Sequence, residues 1–572
     1  MTPRAPAVPG FAELWQLAVD ECGRRPFLIF EDVDGAVSDF TYGDMDRLVR
    51  RVAGGLTARG VGAGDAVHLV LPNTVAFVAV WLACSALGAW IVPSDPRAGV
   101  AELAEHLRRT TPRVAVTTPR READLLAACD LAPGVTTEVV AVDERDVTLG
   151  RLATAEPVSV PATVDPMTRL AVMFTSGTTS APKGVVLTQA NYAYAGLVMA
   201  ASSSLTRFDR QLVVLPLFHA NAQYYSFAAA IAAGASVALI GAFSASRFVE
   251  QARRHEVTHA SLFAAPIRMI LARTPEDTAP LKLRNAWFAQ NLSADQYART
   301  AELLGCTPRQ IYGMTETVPA VLSNPLVGAV PSAIGRPTLG CAVRVVGPSR
   351  TAVALDEEGA IHVGGVPGVT VFAEYLDDPD TTAAAIVEET ADGFVWFDTG
   401  DRATVDGRGM FHFAGRRSDV LKVAGENVSV VEVEHVLAEH PAVGDVAVVG
   451  RPDPMRDEVP VAYVVAAEGA PKPAELDDEL RAWVAERLAP SKRPAAYHFV
   501  DDLPRTSVGK IRKFLLGAEP TAAADGDELD ADDPGHDSNT TPSHASNSNS
   551  KSNSTDNSNH DHNQQGSESC DG

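Results

Sequence analysis

Short apolar runs alternate with amphipathic segments between residues 11 and 304 of the chain. For example, an apolar run at 67–71 precedes a helical pattern over 73–87. Thr41 stands before another helical pattern, 44–58, and its hydroxyl can cap that helix. Strands that alternate with helices of about 12–15 residues are typical of α/β units around a mostly parallel sheet.

The pattern changes twice further along the chain. From about 325 to 415, Gly, Pro and β-branched residues dominate, and helical periodicity is confined to 378–388, which predicts a β-rich, barrel-like subdomain. Residues 417–515 predict a small domain with helices over 427–439 and 474–488. Before these changes, the pattern predicts strands at 212–215, 235–240, 258–262 and 285–288, and helices at 189–204, 223–233, 246–255, 266–273 and 293–304.

The predicted fold class is therefore α/β. We expect a large N-terminal domain of two α/β subdomains plus the β-rich subdomain (1–416), then a small mobile α+β C-terminal domain (417–517) and a disordered tail (518–572). The tail is poor in hydrophobic residues and cannot bury enough apolar surface to offset chain entropy. Its four histidines could suggest a metal site, but solvated disorder is the favoured interpretation: His536, His544, His560 and His562.

Much of the negative charge belongs to the tail. The chain has 572 residues and a net charge of −24, and twelve acids and one lysine between Glu519 and Gly572 contribute −11 of it. The remaining −13 is ordinary for a chain of this length, and no basic stripe is present. This charge distribution argues against nucleic-acid binding.

Cysteine usage and hydropathy indicate a reducing compartment, and we expect a cytoplasmic protein. The six cysteines are widely scattered without CxxC or Cys/His spacing, so neither a zinc site nor a disulfide framework is indicated. The first twenty residues lack the apolar segment of a signal peptide. The longest apolar run, 227–243, contains two glycines and falls short of the ~20 residues that span a bilayer.

The first candidate for chemistry is the stretch 173–188, MFTSGTTSAPKGVVLT. Small and hydroxylated residues follow an apolar run, and Lys183 adds a positive charge. Such a loop lets backbone N–H groups approach a polyphosphate closely. It is not a Walker A loop, because Lys183 precedes Gly184 and no G-K-[ST] ending is present. The alternative interpretation is a flexible surface loop.

Three later strings fit the same theme. The string 310–317, QIYGMTET, offers an aromatic ring, hydroxyls and a carboxylate, and one or two carboxylates suffice to hold Mg²⁺ beside phosphates. The string 397–402, FDTGDR, presents Asp401 after a glycine turn, where it could bind a ribose diol. The string 415–422, GRRSDVLK, is a charged connector at the domain boundary. Taken alone, each string has an alternative interpretation: Glu316 could be a solvated acid, 397–402 a simple turn, and 415–422 a solvated linker.

In this order the strings closely resemble the ANL superfamily of adenylate-forming enzymes, which contains acyl-CoA synthetases, adenylation domains and luciferases. The resemblance covers residues 11–515 and rests on TSGTTSAPKG, YGMTET, DTGD, GRRSDVLKVAGENVS and PRTSVGKIRK. Within the family the chain is most similar to the carnitine/crotonobetaine-CoA ligase group. That likeness rests on NLS at 291–293, PSAIGRP at 331–337, GENVSVVEVEH at 425–435 and RDE at 456–458.

The resemblance implies a nucleotide site for ATP, with magnesium. The loop would wrap the β- and γ-phosphates, Tyr312 would stack on adenine opposite Gln290-Asn291, and Asp401 and Arg416 would hold the ribose. Glu316 would bind Mg²⁺ together with Thr178. The complete ATP/AMP set is Thr175, Ser176, Gly177, Thr178, Thr179, Lys183, Gln290, Asn291, Tyr312, Gly313, Asp401 and Arg416.

The resemblance also implies two catalytic steps. A carboxylate attacks the α-phosphorus of MgATP to give acyl-AMP and pyrophosphate, and a thiol, expected to be that of CoA, then attacks the acyl carbon. Lys510 would contact the α-phosphate, where a cation stabilises developing charge. The C-terminal domain would rotate between the steps about Ser418, where the family more often has Asp or Lys. The other implied residues are catalytic Thr315, Glu316 and His219, and Lys422 and Gly425 along the thiol tunnel.

His219 matches the family's gate beside the acyl pocket, although a lone histidine is more often a core residue. Residues 211–243 contain no acid and no base apart from His219, so they do not favour a quaternary ammonium substrate, which prefers carboxylates or an aromatic cage. We expect a small or medium neutral acid, aliphatic or aromatic. The pocket candidates are Asn221, Gln223, Tyr224, Tyr225, Phe263, Ala264 and Ala289.

Alternatives remain for the acceptor and for the activity. The acceptor could be a carrier-protein thiol or an amine instead of CoA. The enzyme could also be a diazotase, which activates nitrite and acts on an aryl amine. An inactive binding or regulatory homologue is a further alternative, as is an interaction role for the tail. The expected partners are a small-molecule acid and CoA, without nucleic acid or a membrane span, for a monomer or homodimer.

Overall fold

The computed structural model describes residues 9–154, 156–159, 163–175, 182–416, 419–423, 426–467, 469–505 and 511–516. These residues belong to one compact unit. The predicted tail lies outside them, as do residues 176–181 of the phosphate-loop candidate, the hinge candidate Ser418, Gly425 and Lys510. Within the described ranges no helix is long and apolar enough to cross a membrane.

The strands follow one another along the chain as β1 (Pro26–Glu31), β2 (Val37–Thr41), β3 (Ala66–Val70), β4 (Trp90–Pro93), β5 (Val114–Thr117), β6 (Glu138–Ala141), β7 (Arg169–Thr175), β8 (Lys183–Thr188), β9 (Arg210–Val213), β10 (Ser236–Ile240), β11 (His259–Phe263), β12 (Asn285–Ala289), β13 (Pro308–Tyr312), β14 (Leu322–Ser323), β15 (Arg336–Pro337), β16 (Ala342–Val346), β17 (Gly359–Gly365), β18 (Glu374–Tyr375), β19 (Ile386–Glu389), β20 (Val395–Val405), β21 (Phe411–Arg416), β22 (Val420–Val423), β23 (Glu426–Ser429), β24 (Val443–Asp453), β25 (Asp457–Ala466) and β26 (Ala496–Phe499).

The α-helices are α1 (Phe11–Cys22), α2 (Tyr42–Ala58), α3 (Val75–Leu87), α4 (Val100–Thr110), α5 (Glu122–Asp130), α6 (Gln189–Ser203), α7 (Ala229–Ala233), α8 (Phe248–Arg254), α9 (Ala264–Arg273), α10 (Ala294–Leu304), α11 (Pro379–Ala385), α12 (Val430–Ala438) and α13 (Pro473–Arg487). A π-helix, Asn221–Ala228, leads directly into α7.

Two large sheets form the body of the protein and confirm the α/β prediction. One has nine strands in the order β15-β14-β13-β12-β11-β9-β10-β1-β2, and the other has seven in the order β18-β8-β7-β4-β3-β5-β6. The inner strands mostly pair in parallel, whereas three of the four edges are antiparallel; the fourth edge strand, β6, pairs in parallel with β5. Helix α3 is buried from Val75 to Ala86, and side chains of both sheets join its core.

Two smaller sheets complete the described structure. Strands β16, β17, β19, β20 and β21 pair antiparallel, as the β-rich pattern predicted. Strands β22 to β26 form a sheet that carries α12 and α13 around a separate apolar core. The carboxyl ends of β11, β12 and β13 lie at one edge of the nine-stranded sheet, where ligands of open α/β sheets usually bind.

Local capping agrees with the sequence in one place and corrects it in two others. The Thr41 hydroxyl accepts a hydrogen bond from the backbone N–H of Asp44, which confirms the predicted cap. The helix predicted to begin at residue 427 begins at Val430, because residues 426–429 pair with β22 and Ser429 caps the helix. The helix predicted over 378–388 ends at Ala385, and the following residues form β19.

Candidate active site

The ends of β12 and β13 place the first site residues. Ala289 and Tyr312 end these two neighbouring parallel strands. The Gln310 amide donates to the Gln290 carbonyl (3.1 Å) and to Asn291 Oδ1 (3.2 Å), which fixes the turn after β12. Gln290 has a φ of 73°, a left-handed conformation that a non-glycine residue adopts only under local constraint.

The structure brings together Tyr312, Asp401 and Arg416, which the family resemblance assigned to the adenine and the ribose. The Tyr312 hydroxyl donates to Asp401 Oδ2 at 2.7 Å, and Arg416 Nε lies 3.3 Å from Asp401 Oδ1. Asp401 and Arg416 are cross-strand partners of β20 and β21. Burial and the charge of Asp401 raise the pKa of Tyr312 well above its usual value, so its hydroxyl stays a donor.

Glu316 lies in a single 3₁₀ turn, Thr315–Thr317, directly after β13 and Gly313. Its side chain is buried, and its backbone carbonyl accepts from the Phe372 N–H at 2.8 Å. Val318, which ends the turn, has a φ of 69°, and a β-branched residue is strained there. The strained turn therefore holds a buried carboxylate four residues beyond Tyr312.

Tyr375 connects Glu316 to Lys183 and was not predicted. Its hydroxyl donates to Glu316 Oε1 at 3.0 Å, and the Lys183 ammonium lies 4.7 Å from its ring centroid. Burial, followed by the charge of Glu316, raises the pKa of the Tyr375 hydroxyl. Lys183 pairs with Thr175 across the β7–β8 hairpin, so both described ends of the predicted phosphate loop lie here.

The Glu316 carboxylate fits the predicted magnesium site in its chemistry. The described residues contain no group of three or more His, Cys, Asp or Glu side chains that could hold a metal by themselves. Mg²⁺ does not need such a cage, because it takes one or two carboxylates together with substrate phosphates and water. The second predicted ligand, Thr178, lies outside the described residues.

The π-helix carries four of the predicted acyl-pocket residues, Asn221, Gln223, Tyr224 and Tyr225, and packs against β9 and β11. His219 precedes it, with its ring 4.3 Å from that of Phe218. Gln223 is fully buried, and both polar atoms of its side chain have partners. Its Oε1 accepts from the Tyr192 hydroxyl (2.6 Å), and its amide nitrogen donates to the Leu217 carbonyl (2.7 Å). Asn221 and Tyr224 are also buried.

Tyr225 contacts the glycine that precedes the Glu316 turn. A Cβ atom at Gly313 would lie 3.0 Å from both the Tyr225 hydroxyl oxygen and the Pro319 carbonyl oxygen. This separation is tighter than ordinary contacts, so the close approach favours glycine. Phe263 and Ala264 stand at the junction of β11 and α9, beside Ala289.

The small C-terminal sheet is positioned near the same edge. Arg505 pairs with Asp445, and burial together with the charge of Arg268 lowers the pKa of Arg505. Arg268 itself donates to the Asn291 carbonyl at 3.0 Å. Lys510 and Ser176–Thr179 lie outside the described residues, as do Ser418 and Gly425, while Lys422 is exposed.

Comparisons with known proteins identify the family of the chain. The AMP-binding enzyme family model matches residues 15–376, and the AMP-binding enzyme C-terminal domain model matches residues 432–510. The crotonobetaine/carnitine–CoA ligase of Citrobacter koseri is 32% identical over 517 residues, covering 88% of this chain and 98% of that protein. This match confirms the similarity to that group of ligases.

Solved structures are similar over the same extent. ATP-bound MatB from Rhodopseudomonas palustris has a TM-score of 0.78 at 26% identity, covering 88% of this chain and 98% of that one. A benzoate CoA ligase from Burkholderia xenovorans LB400 has a TM-score of 0.77 at 25% identity, covering 89% and 99%. The chain therefore belongs to the AMP-binding enzyme family, within the ANL superfamily, and is an AMP-forming ligase of the acyl-CoA synthetase type.

Proposed function

We propose that the protein adenylates a small or medium carboxylic acid with ATP, releases pyrophosphate, and transfers the acyl group to CoA. The observation that carries this proposal is the position of two polar groups around the end of β13. Tyr312, the last residue of the strand, donates to Asp401, and Glu316, in the turn that follows, accepts from Tyr375, whose ring lies beside the Lys183 ammonium. One group suits a nucleoside and the other a magnesium polyphosphate.

The residues proposed to bind the nucleoside combine an aromatic face with a charged hydrogen-bond acceptor. Asp401 would accept hydrogen bonds from the ribose hydroxyls, while Arg416 balances its charge at 3.3 Å. The Tyr312 hydroxyl is engaged by Asp401 at 2.7 Å, so the ring is held in one orientation against which adenine would stack. The turn at Gln290-Asn291, held by Gln310, would line the opposite side of the base.

The residues proposed to bind the magnesium polyphosphate combine a carboxylate with a cation. Glu316 would hold Mg²⁺, which neutralises charge on the phosphate oxygens when it is bound. Lys183 would contact the phosphates as a point charge, and Thr315 would add a hydroxyl. The predicted residues Thr175–Thr179 would supply further donors from the loop.

The acid is proposed to be uncharged beyond its carboxylate. Crotonobetaine and carnitine, named for the Citrobacter relative, carry a quaternary ammonium group besides the carboxylate, but residues 211–243 offer no carboxylate to balance that positive charge. The side-chain oxygen and nitrogen of Gln223 are already hydrogen-bonded to Tyr192 and Leu217, so Gln223 would hold the wall of the pocket in place rather than bind the acid. Asn221, Tyr224 and Ala289 remain the proposed pocket residues, with His219 as the gate.

The C-terminal domain, proposed as 417–517, would supply Lys510 for the first step and rotate about Ser418 for the second. Described residues on both sides of Lys510 come close to the large domain. The positive charge of Arg512 acts on the Glu102 carboxyl of α4 and attracts it, whereas Arg505 and Arg268 on α9 carry like charges and repel each other. We propose that this conformation serves adenylation.

A pyrophosphate-release screen tests the proposal. The full-length protein is assayed with MgATP and a panel of aliphatic and aromatic acids, carnitine, and nitrite with an aryl amine, each with and without CoA. We expect release with a neutral acid and a thioester product only when CoA is present. Release with nitrite alone, or an acyl product that forms with an amine and never with CoA, would overturn the proposed donor or acceptor.

A further inference from the structure

Arg109, near the end of α4, bridges two backbone segments of the candidate site. Its Nη1 donates to the Pro182 carbonyl at 2.6 Å, and its Nη2 donates to the Leu376 carbonyl at 3.1 Å. Pro182 directly precedes Lys183, and Leu376 directly follows Tyr375. One guanidinium therefore links the segments whose side chains meet above Glu316.

The two bridged segments also contact each other directly. The Leu376 N–H donates to the Gly184 carbonyl at 2.7 Å, and Tyr375 pairs with Val185 across β18 and β8. Strand β18 has only two residues, so few ladder hydrogen bonds fix its position. A bidentate contact from outside the sheet adds a constraint just where that pairing ends.

Arg109 is itself held in place by a buried stack. Its guanidinium carbon lies 5.0 Å from the Phe174 ring centroid, and Phe174 stacks on His106 with centroids 4.0 Å apart and planes 6° from parallel. His106 Nδ1 and His68 Nε2 both lie 2.8 Å from the Ser94 hydroxyl oxygen. The chain of contacts joins α4 to β3 and to the end of β4.

The stack places no second positive charge beside Arg109. Burial, followed by the charge of Arg109, lowers the pKa of His106 to about 4, so its imidazole is neutral at pH 7. The Asp378 carboxylate, which caps α11, faces both Arg109 and Lys183 and has a lowered pKa, for which hydrogen bonds from Thr381 are the main cause. Phe174 thus holds the Arg109 guanidinium in one orientation, and the Asp378 carboxylate balances part of its positive charge.

We propose that Arg109 is a positioning residue for adenylation, because it sets Lys183 and Tyr375 at the separation at which both act around Glu316. This inference rests on the proposed function. The planar guanidinium presents its donors in a fixed fork, so it can hold two carbonyl oxygens at one spacing. A lysine ammonium has no such fork and would hold one carbonyl at a time.

Substitutions at Arg109 and at its neighbour test the inference. Arg109→Gln removes the charge, Arg109→Lys keeps the charge without the fork, and Arg108→Gln is the matched control. Arg108 is one residue away on the same helix, but it is exposed and pairs only with Glu105 among the contacts of the described residues. Melting temperatures without ligand establish that each variant folds.

The first readout is the shift in melting temperature caused by MgATP alone, which needs no acid. We expect the wild-type protein and Arg108→Gln to show equal shifts, and both Arg109 variants a smaller one. The second readout is pyrophosphate release with the most active acid of the panel, set beside thioester formation from the purified acyl-AMP of that acid. We expect adenylation turnover to fall about ten- to a hundredfold in both Arg109 variants, with thioester formation nearly unchanged.

Three outcomes would overturn the inference: a wild-type adenylation rate in Arg109→Gln, full activity in Arg109→Lys, or equal losses in both half-reactions, which would indicate a general structural defect. If the wild-type protein releases no pyrophosphate with any acid, the proposed function fails. In that case the MgATP shift still decides whether Arg109 organises the phosphate side of the site.

Discussion

At the scale of single residues, Asp401 provides a sharp test of the nucleotide site. It accepts from Tyr312 at 2.7 Å and faces Arg416 at 3.3 Å. Asp401→Asn keeps the shape of the side chain but removes the charge that would attract the ribose hydroxyls. We expect KM for ATP to rise about ten- to a hundredfold with a smaller change in kcat, because ribose contacts are alike in the ground and transition states. Initial rates at varied ATP concentration measure both.

Glu358→Gln is the matched control, since Glu358 is an exposed carboxylate that pairs with Arg402, the residue after Asp401. It should behave as the wild-type protein. A large fall in kcat with unchanged KM in Asp401→Asn would instead place Asp401 beside the reacting phosphorus, which would contradict its assignment to the ribose.

Sequence reasoning found the residues of this site that lie within motifs and missed one that does not. The family resemblance assigned Tyr312, Asp401 and Arg416 to one nucleotide site, and the structure brings their side chains together; their roles in binding stay predictions. Tyr375 was missed, since a tyrosine between an acidic residue and a leucine carries no signal of its own. Its role depends on the pairing of β18 with β8, a contact between segments nearly 190 residues apart.

At the scale of elements, a buried carboxylate fastens β1 to α8. Glu31 is fully buried and accepts from Arg247 (2.7 Å) and Gln251 (2.8 Å), while His255 Nε2 lies 2.6 Å and Arg254 Nη1 3.3 Å from it. Glu31→Gln leaves Arg247 and Arg254 without their counter-charge. We expect a destabilisation of about 1–3 kcal/mol, seen as a lower melting temperature, because charged hydrogen bonds are lost while the partly exposed arginines keep some of their hydration.

Glu250→Gln serves as the control for that change, because Glu250 is exposed and pairs with Arg254 on the same helix. It should change stability by less than about 1 kcal/mol. An equal loss in the two variants would show that the burial of Glu31 is not what makes its charge important.

The stabilisation that the Glu31 carboxylate contributes depends on pH in a defined direction. Burial alone would raise the pKa of Glu31, but hydrogen bonds from Gln251 and His255 and the charges of His255 and Arg254 outweigh it and lower the pKa. The folded protein thus binds this proton more weakly than the unfolded chain does. The stabilisation is complete above the unfolded pKa of about 4.3 and is lost as the pH falls below it, so the difference in melting temperature between the wild-type protein and Glu31→Gln should shrink on acidification.

The π-helix shows why one element was only partly predictable. The sequence predicted a helix over 223–233, and the structure has a π-helix, Asn221–Ala228, followed by α7. Every residue from Asn221 to Ala228 is buried, so the segment has no solvent-exposed face whose spacing in the sequence could indicate the number of residues per turn. Backbone hydrogen bonding alone distinguishes the two helix types, and this widened segment lies where the acyl pocket is proposed.

At the scale of the whole molecule, the two-step scheme depends on Lys510. This lysine is proposed to serve the first step only, so Lys510→Ala should reduce acyl-AMP formation at least about a hundredfold, because a cation at the α-phosphate stabilises charge that develops in the transition state. Thioester formation from purified acyl-AMP should be nearly unchanged, since the rotated domain would present other residues to the site. Lys472→Ala, which removes a lysine at the start of α13, is the control and should leave both half-reactions intact. An equal loss in both half-reactions with Lys510→Ala would mean that the lysine stabilises the domain rather than the reaction, and that alternation of the C-terminal domain does not separate the two steps.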